Sequence, residues 1–564
     1  MEISKKSKML INFGAVALVL LFATLLAIFT DVRYAVNDDR AILRSALDFQ
    51  PGGASTFQIY VNPLIAYPLG ILGKFFPFVA WFSVFQITFL AISFFIIFKC
   101  IMQCTKYAGY SLCTGLGIAI GFFILFGIYP SCRITYSTTA SILGAAAVIK
   151  MLTVSYCNPK MAYIKKSFLG SALLFILAYA LRNEAGMVAL AFGGLIIIQI
   201  CLDNKNNRSL LSFTIITALI TVCILVALYF WHKYEIKWRG LTELMHWNLE
   251  RTNLTDFSNF FSLPKEYINS LGLLPEEFGM LTSWYQLDSN FSASLFNTIT
   301  TSEEIARLAP SINKVILAFI NNTKYYIYVL IALAIIGSLL FVSQCRKKVY
   351  KRSTIFLGIA TVLLVGAFCF YLAYRRRLIE RSVFTAVFPM ACILFAILPF
   401  CLPKGKIIKA FIIFCLLGLS VVAIIPTLQN IDYTSQQNHI EFYEELDTQA
   451  VNNSDYLLIH SPDIIDDFRL FPKLHPWTPH NLVMWGGWER YTPHYKAKFE
   501  AFGIDSDNFQ AKDWLNEDVR YLTKSDKVHP ALLAYLKARV NENVVSEQEM
   551  IYDHLFAYSF YIEE

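Results

Sequence analysis

The sequence predicts an α-helical polytopic membrane protein with about eleven transmembrane helices and a small C-terminal α/β domain. Three observations carry that prediction. The 564 residues are 56% hydrophobic and only 16% charged, with a mean hydropathy of +0.50, which is too apolar for a water-soluble globule. Eleven apolar stretches approach the roughly 20 residues that a bilayer core demands. The basic residues fall in short runs between those stretches rather than along one face, so the net charge of +7 reads as membrane orientation and not as a nucleic-acid surface.

In chain order the stretches are 10–30, 78–98, 111–130, 133–153, 168–181, 187–202, 210–231, 324–344, 354–374, 383–402 and 407–427. The first has no small-residue cleavage site after it and is expected to be retained as a span. Two, 168–181 and 187–202, look short for a full crossing, and the charged RNEAG between them marks a turn or a broken helix. Charge fixes the count. With Lys5, Lys6 and Lys8 inside and strict alternation, every inside loop is basic, including RKKVYKR and PKGKIIK; ten crossings would put RKKVYKR outside. On this map residues 1–427 form the membrane domain, with a first outer loop at 31–77 and a large outer loop at 232–322 that contains a re-entrant or interfacial stretch. Residues 428–564 form an extracytoplasmic domain in which YLLIH, VRYLT and DHLFAYSFYIEE read as strands and HPALLAYLKARV as a helix. The twelve cysteines lie mostly inside apolar stretches, and a disulfide framework is not expected.

Ionisable groups gather on the outer side. Asp38 and Asp39 follow the first span, Arg133 opens the fourth, Arg182 and Glu184 sit in ALRNEAG, and Arg375, Arg376, Arg377 and Arg381 fill YRRRLIERS. Such groups cost roughly 2.5–3.5 kcal/mol at the centre of a span and less at its edge, so they are rare without a use. Inside, lysine dominates; outside, arginine does, and its planar fork of donors suits phosphate. Singly, each group has a plainer reading: the acid pair as the start of an amphipathic helix, the arginine run as a headgroup contact, RNE as an internal ion pair. Together they suit a carboxylate base beside a hydroxyl and a cationic cradle for a phosphate leaving group, as in glycosyl transfer from a lipid phosphate. Adjacent carboxylates, with substrate oxygens, also suit a divalent cation such as Mg or Mn, although the chemistry requires no cofactor. No nucleotide or nucleic-acid motif is present.

The acidic NDDRAI after the first span, the later NPLIAYPLGILGKFFP, WFSVFQ, YALRNEAG, YLAYRRRLIERS and WGGWERYTPHY resemble the GT-C superfamily of membrane glycosyltransferases, and more narrowly bacterial relatives of the GtrII-type glucosyltransferases. The resemblance implies a multi-pass bacterial cell-membrane enzyme that moves a sugar from a polyprenyl-phosphate donor to an extracytoplasmic glycan or lipid-linked acceptor. It implies Asp38 or Asp39, with a slight preference for Asp38, as catalytic base or metal ligand. Donor phosphate contacts would come from Arg375, Arg376, Arg377, Arg381 and Arg182, with Arg133, Tyr136 and Glu184 lining the substrate site. A Gly-Arg pair in relatives matches by position rather than by letter, at Arg376-Arg377 or nearby, which leaves the phosphate contact open within 375–381. Alternatives from the residues alone are a lipid-linked glycan polymerase or ligase, and a flippase or transporter of lipid-linked sugars. In the C-terminal domain, Trp477, Trp485, Trp488, Tyr491 and Tyr495 form an aromatic cluster that suits core packing, or stacking on a sugar.

Overall fold

A computed structural model describes residues 4–46, 56–157, 161–203, 207–308, 312–321 and 352–401, and, within 445–564, mainly 448–461, 481–552 and 555–564. The expected spans 324–344 and 407–427, and Trp477, lie outside the described residues.

Eight described helices are long and apolar enough to cross a membrane. In chain order the membrane part contains α1 (Lys5–Phe29), β1 (Arg33–Tyr34), α2 (Asn37–Ser45), α3 (Pro63–Phe75), α4 (Trp81–Tyr107), α5 (Leu112–Phe126), α6 (Ile128–Cys132), β2 (Arg133–Ile134), α7 (Tyr136–Cys157), α8 (Met161–Leu181), α9 (Asn183–Asp203) and α10 (Arg208–Trp238). The short helices α11 (Thr242–Phe257), α12 (Lys265–Ser270), α13 (Pro275–Thr282), α14 (Ala293–Thr300), α15 (Glu303–Arg307) and α16 (Ile312–Asn321) follow. The long α17 (Arg352–Tyr374) and α18 (Glu380–Cys401) come next.

The two stretches expected to be short are not. Helices α8 and α9 have 21 residues each and are separated by Arg182 alone. Hydropathy trimmed them at Lys165, Lys166 and Asn183-Glu184, but an α-helix continues through such residues where their heads reach the interface. The hairpin is tight: a Cβ on Gly186 would stand 2.5 Å from Tyr179 Cα, so only glycine lets the backbones meet. The stretch 111–130 divides into the 15-residue α5 and the short α6.

Helix α7 runs through the middle of the bundle, buried along almost its whole length, and α18 packs beside it. Its sequence explains the position, because STTASILGAAAV offers small side chains that let neighbours approach closely. A Cβ on Gly144 would lie 2.4 Å from Ala189 Cβ of α9. Helices α1 and α10 instead expose Phe13, Leu20, Ile216 and Leu219 on their outer faces, as a lipid-facing surface requires.

The C-terminal region holds β3 (Leu457–His460), β4 (Leu482–Met484), α19 (Pro493–Glu500), β5 (Val519–Thr523), α20 (Pro530–Arg539), β6 (Val544–Tyr552) and β7 (Leu555–Ile562). The sheet order is β4-β3-β5-β7-β6, parallel from β4 to β5 and antiparallel beyond. Strands β4 and β6 were not legible: β4 has three residues, and β6 is an edge strand whose VVSEQEMIY is largely exposed.

Residues 242–307 are short helices packed on this sheet rather than a re-entrant element. Trp247 and Leu254 of α11, Met280 of α13 and Phe296 of α14 share one core with Trp485, Trp514, Tyr521 and Tyr535. The large loop placed with the membrane domain by sequence therefore shares its hydrophobic core with the C-terminal sheet. At the closest approach a Cβ on Gly486 would sit 2.1 Å from the carbonyl oxygen of Trp284.

Candidate functional site

Asp38 and Asp39 lie in the first turn of α2, and successive helix positions point about 100° apart. One therefore faces out and the other in. Asp39 is fully buried and accepts from Gln86 Nε2 at 2.8 Å and from the backbone N–H of Tyr136 at 2.7 Å. Thr139 donates to the other end of Gln86 at 3.0 Å. Since Tyr136 is the first residue of α7, Asp39 serves as a remote cap on that helix and joins α2 to α4 and α7. Burial pushes its carboxyl up to about 8, against the opposing pull of those two hydrogen bonds.

Asp38 lines a cavity of about 1550 Å³. It accepts from Trp488 Nε1 at 2.9 Å and faces Arg381 Nη1 at 3.5 Å. Trp488 itself sits edge-on to Tyr60, ring centroids 5.3 Å apart. The C-terminal region thus reaches into the membrane-edge site. A positioning role for Trp488 predicts that Trp488→Phe, which keeps an aromatic ring and removes the indole N–H, lowers kcat of the reaction proposed below about tenfold with KM unchanged. Steady-state kinetics of the purified variant checks this.

The cavity lies where α8, α10 and α17 end and α7, α9 and α18 begin, so one end of the bundle builds it. The opposite helix ends carry Lys5, Lys6, Lys99, Lys106, Lys165 and Lys166. The lining includes eight arginines and five carboxylates, a balance that suits an anion.

Of the arginine run, Arg377 and Arg381 line the cavity, whereas Arg375 and Arg376 do not. Arg377 pairs with Asp256 of α11. Arg375 lies over the ring of Phe257 at 4.6 Å from its centroid. Arg376 has a left-handed φ of 57°, and the two bonds Arg376 N–H to Ala373 O and Arg377 N–H to Leu372 O close a Schellman motif at the end of α17. That motif turns Arg377 towards the cavity. Because glycine tolerates the left-handed position without strain, Arg376→Gly is expected to raise stability by about 1 kcal/mol, read as a higher thermal midpoint in detergent.

Arg182 occupies the break between α8 and α9, donates to Tyr136 Oη at 2.9 Å and pairs with Glu184 at 2.7 Å. It lies between the rings of Tyr60 and Tyr136, its Cζ 5.1 Å from each centroid. All four residues line the cavity. Arg133 also lines it, but its Nη1 donates to the carbonyls of Asp31 at 2.6 Å and Cys132 at 3.2 Å. It secures the β1–β2 pairing that seats α2.

The donor set does not fit a divalent cation. Asp39 points into protein, and Asp38 faces a guanidinium and an indole N–H, where a cation needs further oxygens. Among the described residues no group of three or more His, Cys, Asp or Glu could hold a metal ion. Asp256, Tyr60 and Arg251 are cavity residues that sequence reasoning did not single out, and Trp488 was named there only for core packing or sugar stacking. In the aromatic cluster, Trp485 and Tyr495 belong to the C-terminal core and also border the cavity, and Trp488, Tyr60's neighbour, is cavity wall.

The fold and site define a multi-span helical protein with a cationic, carboxylate-bearing cavity at one end of its bundle. Compared with protein-family models, with curated proteins and with solved structures, the chain matches none.

Proposed function

We propose that the chain is a GT-C-type membrane glycosyltransferase, of eleven spans, that moves a sugar from a polyprenyl-phosphate donor to a hydroxyl of a glycan or lipid-linked acceptor. The single observation that carries this reading is that Asp38, Arg381, Arg377 and Arg182, distant in sequence, line one cavity at one end of the bundle. The lysines at the opposite helix ends support an outward-facing cavity by the positive-inside rule. Glycine suits position 376 on conformational grounds, which is compatible with the Gly-Arg of the resembled family falling at Arg376-Arg377 or nearby.

In the proposed reaction Asp38 takes the proton of the acceptor hydroxyl while its oxygen bonds to the anomeric carbon. The bond from that carbon to the phosphate oxygen breaks, its electron pair stays with the oxygen, and polyprenyl phosphate leaves with its charge held by Arg377 and Arg381. Arg381 has a second use. Its 3.5 Å contact with Asp38 is long for a charge-assisted bond, so an arriving phosphate competes for the guanidinium and frees the carboxylate to meet the acceptor hydroxyl. No step runs through a metal ion.

Arginines and carboxylates gathered in one cavity at one end of the bundle favour surface chemistry over transport, which needs access from both sides. The test is purified protein in proteoliposomes with a radiolabelled polyprenyl-phosphate sugar and an acceptor glycan. Release of free polyprenyl phosphate together with labelled acceptor is the expected result, and Arg381→Gln should slow it by about 10²-fold. Movement of intact lipid-linked sugar across the bilayer, with no cleavage, replaces the enzyme reading with a transport one.

A further inference from the structure

Helix α11 presents Leu244, Met245, Asn248, Arg251, Thr252 and Asp256 to the cavity, a spacing that places them on one helical face. Arg251 stands apart from the other cavity arginines just described. Arg377 faces Asp256, Arg381 faces Asp38, and Arg182 faces Glu184. Arg251 is only 5% exposed, yet no carboxylate lies within 4.0 Å of its guanidinium among the described residues.

Its partners are neutral. Nε and Nη2 donate to Asn248 Oδ1 at 3.3 and 3.0 Å, and Nη2 also reaches Thr252 Oγ1 at 3.2 Å. Asn248 is itself oriented, because its Nδ2 donates to Tyr60 Oη at 3.1 Å. The guanidinium also lies over the Trp247 ring at 6.0 Å. Nη1 donates to no described residue and stays open to the cavity. A buried cation held in place by amide, hydroxyl and aromatic groups, with one edge of its fork free, is a preorganised half of an ion pair.

We infer that Arg251 completes its ion pair with the substrate: the cavity takes a second anionic group, a phosphate or carboxylate, beside the phosphate held by Arg377 and Arg381. The inference rests on the glycosyltransferase reading for its substrates, and two sources present this chemistry there. One is the second phosphate of a diphosphate-linked donor; the other is an anionic group on the acceptor. Trp488 and Tyr60 link the two places by contact: Trp488 donates to Asp38 and meets Tyr60 edge-on, and the Tyr60 hydroxyl accepts from Asn248, the partner of Arg251.

Inorganic pyrophosphate is the probe that needs no turnover. It should raise the thermal midpoint of the full-length protein in detergent by several degrees, and that shift should be lost in Arg251→Gln. Asn248→Asp is the second variant, because it sets a carboxylate against Arg251 and neutralises it without removing its packing; the shift should be lost there too. No shift in the wild-type protein, or an equal shift in both variants, overturns the inference, whether or not sugar transfer is ever observed. In a transfer assay the same variants should raise one KM about tenfold with kcat preserved. A higher donor KM with diphosphate-linked but not monophosphate-linked sugar identifies the first source, and a higher acceptor KM the second. Both KM values unchanged overturns the subsite.

Discussion

Asp38→Asn is expected to lower the rate of sugar transfer by about 10³-fold while leaving the protein folded, within the 10²–10⁴-fold range of a lost general base. The amide is nearly isosteric, and its oxygen still accepts from Trp488 Nε1, so the local packing has a partner to keep. What disappears is the capacity to take a proton and the negative charge opposite Arg381. The two losses act in different places. Without a carboxylate competitor, Arg381 is freer to hold donor phosphate, so donor KM should stay level or fall while kcat collapses. Release of polyprenyl phosphate by the purified variant in proteoliposomes, beside its thermal midpoint, separates the two. A variant with an unchanged midpoint and wild-type kcat would remove Asp38 from the chemistry and leave the cavity as a binding site only.

Eight of the expected spans were legible because the bilayer imposes one length and one polarity on each helix, and the acid and arginine groups were legible because they break that polarity. Strands β3, β5 and β7 and helix α20 were legible from local alternation and periodicity. What was not legible depends on phase and distance. The sequence presents Asp38 and Asp39 as equivalent neighbours, and only the rotation of α2 against α4 and α7 decides which carboxyl meets Gln86 and which meets the cavity. Trp488 approaches Asp38 across 450 residues of chain, and no local pattern encodes that contact. Within α11, the period of LTELMHWNLERT reveals a helix, yet its buried apolar face belongs to the C-terminal core and its polar face to the cavity; hydropathy cannot tell a site-facing Arg251 from a solvated one. Similarly, YRRRLIERS announces a cationic loop but not the left-handed turn at Arg376, on either side of which Arg375 and Arg377 both lie over Phe257 while only Arg377 lines the cavity.

Asp39→Ala is the opposite experiment, with its cost in folding. Removing the carboxylate leaves the Gln86 amide and the Tyr136 N–H buried without an acceptor, each worth about 1–3 kcal/mol, so the variant should lose several degrees in thermal midpoint and accumulate poorly. Asp39→Asn should fare much better, since its carbonyl oxygen can accept both bonds. The pH dependence gives an independent reading. Burial holds the folded-state carboxyl near 8, whereas an unfolded aspartate titrates near 3.9. Between those values the folded state binds the extra proton, so this group's contribution to stability is full below about pH 4, falls as pH rises towards about 8, and is flat beyond. The wild-type midpoint, measured in detergent from pH 5 to 8.5, should therefore carry a downward slope that Asp39→Asn flattens. The same slope in both proteins would show that Asp39 is not the group that titrates. A catalytic defect in Asp39→Asn with an unchanged midpoint would move this carboxyl from the frame of the site into its chemistry.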